Sequence, residues 1–127
     1  MIYIDTSVVL AHLLAEDRKA PPDVWLERLV SSRLLEYEVW VRLNARGLGP
    51  THGEAAREIL GRVAFVELHP EVLARALEPF PHPVGTLDAL HLASLEYVRA
   101  RGVSIRLATF DRRMVEVARA LRVALVD

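Results

Sequence analysis

A short β-prone segment, Ile2-Tyr3-Ile4, runs directly into Asp5-Thr6-Ser7 and then into an apolar helical stretch over 8–15, and the chain repeats that order to its end. Asp, Thr and Ser all carry side-chain oxygens that satisfy the free N–H groups of a helix start, so this opening reads as strand, then helix. Ala20-Pro21-Pro22-Asp23 breaks the chain; 24–29 reads as a short helix and Leu29–Ser32 as a second strand leading into a helix over about 33–46. Gly47 and Gly49-Pro50 stop that helix. Thr51 with Glu54 has capping-box spacing and opens a helix to about Leu60, after which 63–68 reads as a third strand. Pro70 restarts a helix, Pro79, Pro81, Pro83 and Gly85 make a loop, and Thr86 caps a helix to about Arg101 with Leu87, Leu90, Leu95 and Val98 at helical spacing. Gly102 ends it. A fourth strand over 104–110, a helix over 111–121 and a closing strand over 123–126 follow.

Strands alternating with helices imply right-handed crossovers and a mostly parallel sheet covered on both faces. The fold class is therefore α/β, a three-layer α/β/α sandwich with a mostly parallel central sheet of four to five strands. At 127 residues and 52% hydrophobic side chains, the chain has the size of one domain over 1–127 and no room for a second. In such a sheet, ligands bind outside the carboxyl ends of the strands, at the point where strand order reverses.

Sixteen basic against seventeen acidic residues leave a net charge of −1, so no whole-molecule positive field draws the chain toward nucleic acid or an anionic membrane; any such binding is local. The absence of cysteine excludes disulfides, thiolate zinc sites, iron–sulfur ligation and cysteine nucleophiles. Lys19 is the one lysine, and the remaining positive charge is arginine, which suits bidentate phosphate contacts. The N-terminus has no basic region before its first acid, so no signal peptide is expected, and no apolar run approaches the ~18 residues of a membrane span. A soluble, cytoplasmic protein without membrane association is expected.

Asp5 follows the first strand, Asp111 follows the fourth, and Asp88 sits in the first turn of the helix before that fourth strand. Each has a purely structural reading, because an Asp at a helix start caps N–H groups for about 0.5–2 kcal/mol. Together they say more. If the two strands are sheet neighbours, their acids share one crevice and repel unless a proton or a hard cation lies between them. Helix 33–46 carries two polar arcs, one with Arg33, Glu36 and Asn44, the other with Glu38, Arg42 and Arg46. Periodicity leaves open which faces solvent, and an exposed Glu38–Arg42 pair is one reading. A receiver-type phosphoacceptor needs a late lysine, and Lys19 is in the wrong place. A haloacid-dehalogenase-like hydrolase needs a second Asp at position 7, where Ser7 stands.

Four blocks carry a resemblance: Tyr3-Ile4-Asp5-Thr6-Ser7; Ser32-Arg33-Leu34 with Glu38 and Arg42 following; Leu87-Asp88-Ala89-Leu90-His91-Leu92-Ala93; and Ala108-Thr109-Phe110-Asp111-Arg112-Arg113. In this order and spacing the chain resembles a PIN domain from residue 2 to 126, and within that family the small toxin nucleases of the VapC type. The resemblance implies that strands one and four are adjacent. It implies a metal-dependent endoribonuclease, the toxin of a toxin–antitoxin pair, with Asp5, Glu38, Asp88 and Asp111 as the acidic set holding Mg²⁺ or Mn²⁺. Thr6, Ser7 and Thr109 are its supporting hydroxyls. RNA substrate, a cognate antitoxin and a homodimer are the implied partners. A PIN fold that no longer cleaves and serves as a dimeric binding module is the alternative.

RNA reaching an acidic crevice on a near-neutral chain needs an arginine rim, for which Arg42, Arg112 and Arg113 are the leading candidates and Arg33 and Arg46 the next. His91 reads as a partly buried histidine bonded within helix packing. His12, His52, His69 and His82 show no metal-ligand spacing. Trp25, Tyr37 and Trp40 read as core aromatics, with an antitoxin groove as the other possibility. Asp5→Asn is expected to abolish cleavage and leave the melting temperature unchanged or higher.

Overall fold

Side chains alternate across β1 (Ile2–Ile4), so Ile2 and Ile4 enter one apolar cluster and Tyr3 the other. All three are 0% exposed, which makes β1 the centre of the molecule. In the computed structural model, which describes residues 1–126, it is flanked by β2 (Leu29–Ser32), β3 (Val63–Val66), β4 (Arg106–Ala108) and β5 (Ala124–Leu125) in the order β3-β2-β1-β4-β5, every pair parallel. Asp127, the last residue of the domain expected over 1–127, lies outside the described residues.

Helices α1 (Thr6–Leu13), α2 (Leu34–Ala45) and α3 (Gly49–Leu60) pack through Val9, Leu35, Val39, Leu43 and Ile59 onto the face of Ile2, Ile4, Leu29 and Val63. Helices α4 (Pro70–Ala76), α5 (Thr86–Arg99) and α6 (Arg112–Ala120) use Val72, Ala93, Leu95 and Ala118 against Tyr3, Val30 and Leu107. The result is the expected α/β/α sandwich, with all five strands parallel. Each buried Leu, Ile or Val in these layers contributes about 1.5–3 kcal/mol of transfer free energy.

Several boundaries move, each for a local reason. The 24–29 helix is a 3₁₀ turn over Pro22–Leu26, entered through proline in its first turn. Helix α3 begins at Gly49, two residues before the expected Thr51 cap, because Pro50 fits the first turn of a helix; the Thr51 hydroxyl bonds back to the Leu48 carbonyl. Gly85 rather than Thr86 is the N-cap of α5. Strand β4 keeps three of the seven expected residues, since Asp5 N–H takes the Ala108 carbonyl at 3.0 Å and the chain then turns toward α6.

That turn matters for the site. The register pairs Ile4 with Ala108, so β1 and β4 end level and release Asp5 and Thr109 side by side. From β1 the connection runs to β2, and from β4 to β5, on opposite sides; the order reverses between them.

Candidate active site

Asp5 is the N-cap of α1 and Asp111 the N-cap of α6, so the structural reading of these acids holds. Both also line a cleft of about 220 Å³ at the β1/β4 reversal, together with Thr6, Ser7, Glu38, Arg42, Asp88 and an unforeseen Arg18. One residue serves both ends, because the helix start that needs a carboxylate opens where the sheet leaves a crevice. A roomier apolar hollow of about 630 Å³ under the proline loop, walled by Leu73, Leu77 and Phe80, contains none of the four acids.

Asp5 is buried and heavily held. Its Oδ1 accepts from Thr6 N–H at 2.8 Å, and Oδ2 accepts from the Ser7 hydroxyl at 2.9 Å and the Thr109 hydroxyl at 2.7 Å. Ser7 Oγ in turn accepts from Phe110 N–H, and Thr109 Oγ1 from Asp111 N–H, which lock the β4–α6 turn onto α1. Of the three expected supporting hydroxyls, Ser7 and Thr109 bond Asp5, and Thr6 is directed elsewhere: its hydroxyl donates to Glu38 Oε1 at 2.7 Å.

Among the described residues, Glu38 makes no ion pair with Arg42. It meets buried His91 instead, whose Nε2 lies 2.5 Å from Oε1. Burial works to raise this carboxyl, but the bonds from His91 and Thr6 and the nearby positive charge outweigh it and hold Glu38 below the usual range. His91 also loses hydration of its charged form to burial, yet the bond to Glu38 and the fields of Asp5, Glu38 and Asp88 lift it above ordinary imidazole. The expected hydrogen-bonded histidine is fully rather than partly buried, and its partners lie on other elements rather than within helix packing.

Asp88 behaves oppositely. Partial burial raises its carboxyl, and the charges of Asp111, Asp5 and Glu38 raise it further against a smaller pull from His91. An aspartate so pressed, among oxygen donors only, fits a hard divalent cation. Among the described residues, no three Asp, Glu or His groups close around one coordination point as placed. Both oxygens of Asp5 and one each of Glu38 and Asp111 are tied to protein donors, an arrangement suited to an ion that keeps part of its water shell.

The arginine rim differs from expectation. Arg42 lines the cleft; Arg112 and Arg113, exposed on the first turn of α6, do not. Arg33 is held by Glu67 and Glu36 at 2.6 and 2.7 Å, over the Phe65 ring, and Arg46 caps the far end of α2. Arg18 arrives through the end of α1. There Ala15 takes φ 51° and Glu16 N–H reaches the Ala11 carbonyl at 2.9 Å, a helix stop more usual with glycine, which sends residues 16–18 across the cleft mouth. With alanine in that place, the sequence carries no turn signal that would have exposed it. Trp25 and Trp40 pack against the core as expected, whereas Tyr37 is 62% exposed, because it falls on the outer arc of α2 between inward Leu35 and Val39.

The sequence matches the PIN domain family model over residues 2–120. Similar proteins of Mycobacterium tuberculosis include Ribonuclease VapC35, 29% identical over 132 residues that cover 99% of this chain and 96% of that one. Ribonuclease VapC46 is 30% identical across 98% of this chain and 95% of its own, and Ribonuclease VapC47 29% identical across 94% and 90%. No helix among the described residues is long and apolar enough to cross a membrane. The match spans both flanks of the β1/β4 crevice and all four acids, and the chain belongs to the PIN domain family.

Proposed function

We propose that this chain is a divalent-metal-dependent endoribonuclease, a single domain over 1–127 acting in the cytoplasm as the toxin of a type II toxin–antitoxin pair. The observation that carries the reading is the convergence of Asp5, Glu38, Asp88 and Asp111 on one cleft at the strand-order reversal, in a chain whose relatives are named ribonucleases. The four carboxylates would hold Mg²⁺ or Mn²⁺, Asp5 and Asp88 most directly. Bound there, such an ion lowers the pKa of an attacking water and offsets charge on the scissile phosphate.

The protein's own groups do the rest. Asp5 is fixed by three donors and needs no reorganisation when RNA arrives. Glu38 stays ionised at neutral pH and can orient a water. Arg18 and Arg42 at the mouth meet the phosphates on either side, while Arg112 and Arg113 act further along the strand if at all. A homodimer and a cognate antitoxin complete the reading.

Incubation of the protein with total RNA and short structured RNAs in Mg²⁺, Mn²⁺ or EDTA tests it. Cleavage that needs the metal and is lost in Asp88→Asn supports the assignment; metal uptake without cleavage of any RNA favours the non-catalytic binding module.

A further inference from the structure

Beneath the cleft, a buried chain of hydrogen bonds links the backbone of β2 to Glu38. Ser32 N–H donates to the Tyr3 hydroxyl oxygen at 3.1 Å, and that oxygen lies 2.8 Å from His91 Nδ1. Tyr3 and His91 are 0% and 1% exposed, and burial pushes the Tyr3 phenol far above its ordinary range, so it keeps its proton. A hydroxyl that already accepts from Ser32 has one proton to give. With a neutral imidazole it goes to Nδ1, which leaves the ring proton on Nε2, aimed at Glu38. With a charged ring, Nδ1–H donates to the Tyr3 oxygen and Nε2 again donates to Glu38. The contact survives either charge state.

Both protein donors to Glu38, Thr6 Oγ1 and His91 Nε2, act on Oε1. Glu38 otherwise has three free torsions on α2 and an exposed Arg42 one turn away to relax toward. We propose that His91 is a positioning residue of the cleft: from α5 it pins Glu38 of α2 by one oxygen, with Tyr3 fixing the ring, so that Oε2 is left to the cation, water or phosphate in the cleft. This rests on Glu38 working in the nuclease site proposed above.

Two substitutions separate positioning from packing. The amide of His91→Asn reaches only the place of Nδ1 and keeps Tyr3; the longer His91→Gln places an N–H where Nε2 stood. His91→Asn is expected to lose about 10–100-fold in kcat with KM within about threefold, and to weaken Mn²⁺ binding by calorimetry, while His91→Gln recovers most of both. Equal losses in the two variants, or losses that follow melting temperature alone, overturn the proposal. A measurement on the native chain guards against variants that do not fold: ¹⁵N spectra of the imidazoles should show His91 Nε2 protonated at every pH of the folded range, and a neutral ring protonated on Nδ1 overturns it. Should the native protein cleave no RNA, the ribonuclease reading falls, yet the imidazole spectrum and the Mn²⁺ affinities still decide the role of His91.

Discussion

The two walls of the acidic cleft are built on different principles. On the wall of Asp5 and Glu38 the carboxylates are held by the protein, Asp5 by three donors and Glu38 by two. On the wall of Asp88 and Asp111, only Asp111 is tied among the described residues, accepting from Arg113 and Met114 N–H at the helix start. Glu38 accordingly sits below the usual carboxylate range and Asp88 above it. One wall is preorganised at the cost of folding around buried charge; the other is left with charge unmet. A cation binding here gains most from the second wall, and its geometry is dictated by the first.

The largest effect should come from Asp5→Asn. An amide in this place turns an acceptor into a donor facing Thr6 N–H or the Ser7 and Thr109 hydroxyls, so buried donors lose their partner. That costs about 1–3 kcal/mol. Cleavage should disappear and the melting temperature fall, which reverses the sequence-based expectation of unchanged or higher stability. A melting curve decides: no fall means that the donors around Asp5 are not what holds the β4–α6 turn to α1.

Asp88→Asn should separate function from stability. Cleavage drops by about 10²–10³-fold or more, the order expected when a group stabilising transition-state charge is lost. Stability moves the other way, because Asp88 has a folded pKa above its unfolded one. For such an acid, the folded state is favoured while the group is protonated, and that advantage is lost as pH rises through the folded pKa. At neutral pH the amide variant should melt roughly 1–4 °C higher, a modest gain because the site is partly solvated. The gap should close below about pH 4, where both chains carry a neutral group. Added Mg²⁺ should raise the melting point of the native chain more than that of the variant; a gap independent of pH and metal would mean that the two walls do not differ in unmet charge.

The sequence already contained much of the plan. Strand and helix alternation put Asp5 and Asp111 just past strands and Asp88 on the helix between; that the two strands are neighbours, which closes the crevice, came from the family resemblance and is seen in the β1–β4 pairing. What stayed hidden depends on groups far apart in the chain. Nothing near His91 announces Tyr3, 88 residues away, or Glu38, 53 away. Helix 33–46 offered two polar arcs, and only the buried ring on α5 selects the one that contains Glu38. Local rules also misplaced Thr51, where a proline-led first turn outcompeted a capping box, and Tyr37, whose aromatic character says nothing about which arc of α2 it occupies.

The smallest effect, and the sharpest test of the rim, belongs to Arg18. Its guanidinium lies over the Phe110 ring, 5.1 Å from the centroid, and 3.5 Å from Glu16, with 60% of the side chain exposed. An ion pair so solvated contributes little, so Arg18→Ala should leave the melting temperature nearly unchanged. Binding should respond instead. Losing one phosphate contact to single-stranded RNA lowers the slope of log affinity against log salt by about 0.7, with a few-fold loss of affinity at low salt. Arg112→Ala, outside the cleft, should leave that slope close to native. If the two variants exchange places, RNA runs along the Asp111 wall over α6, and the mouth formed by the end of α1 belongs to the protein's packing rather than to its substrate.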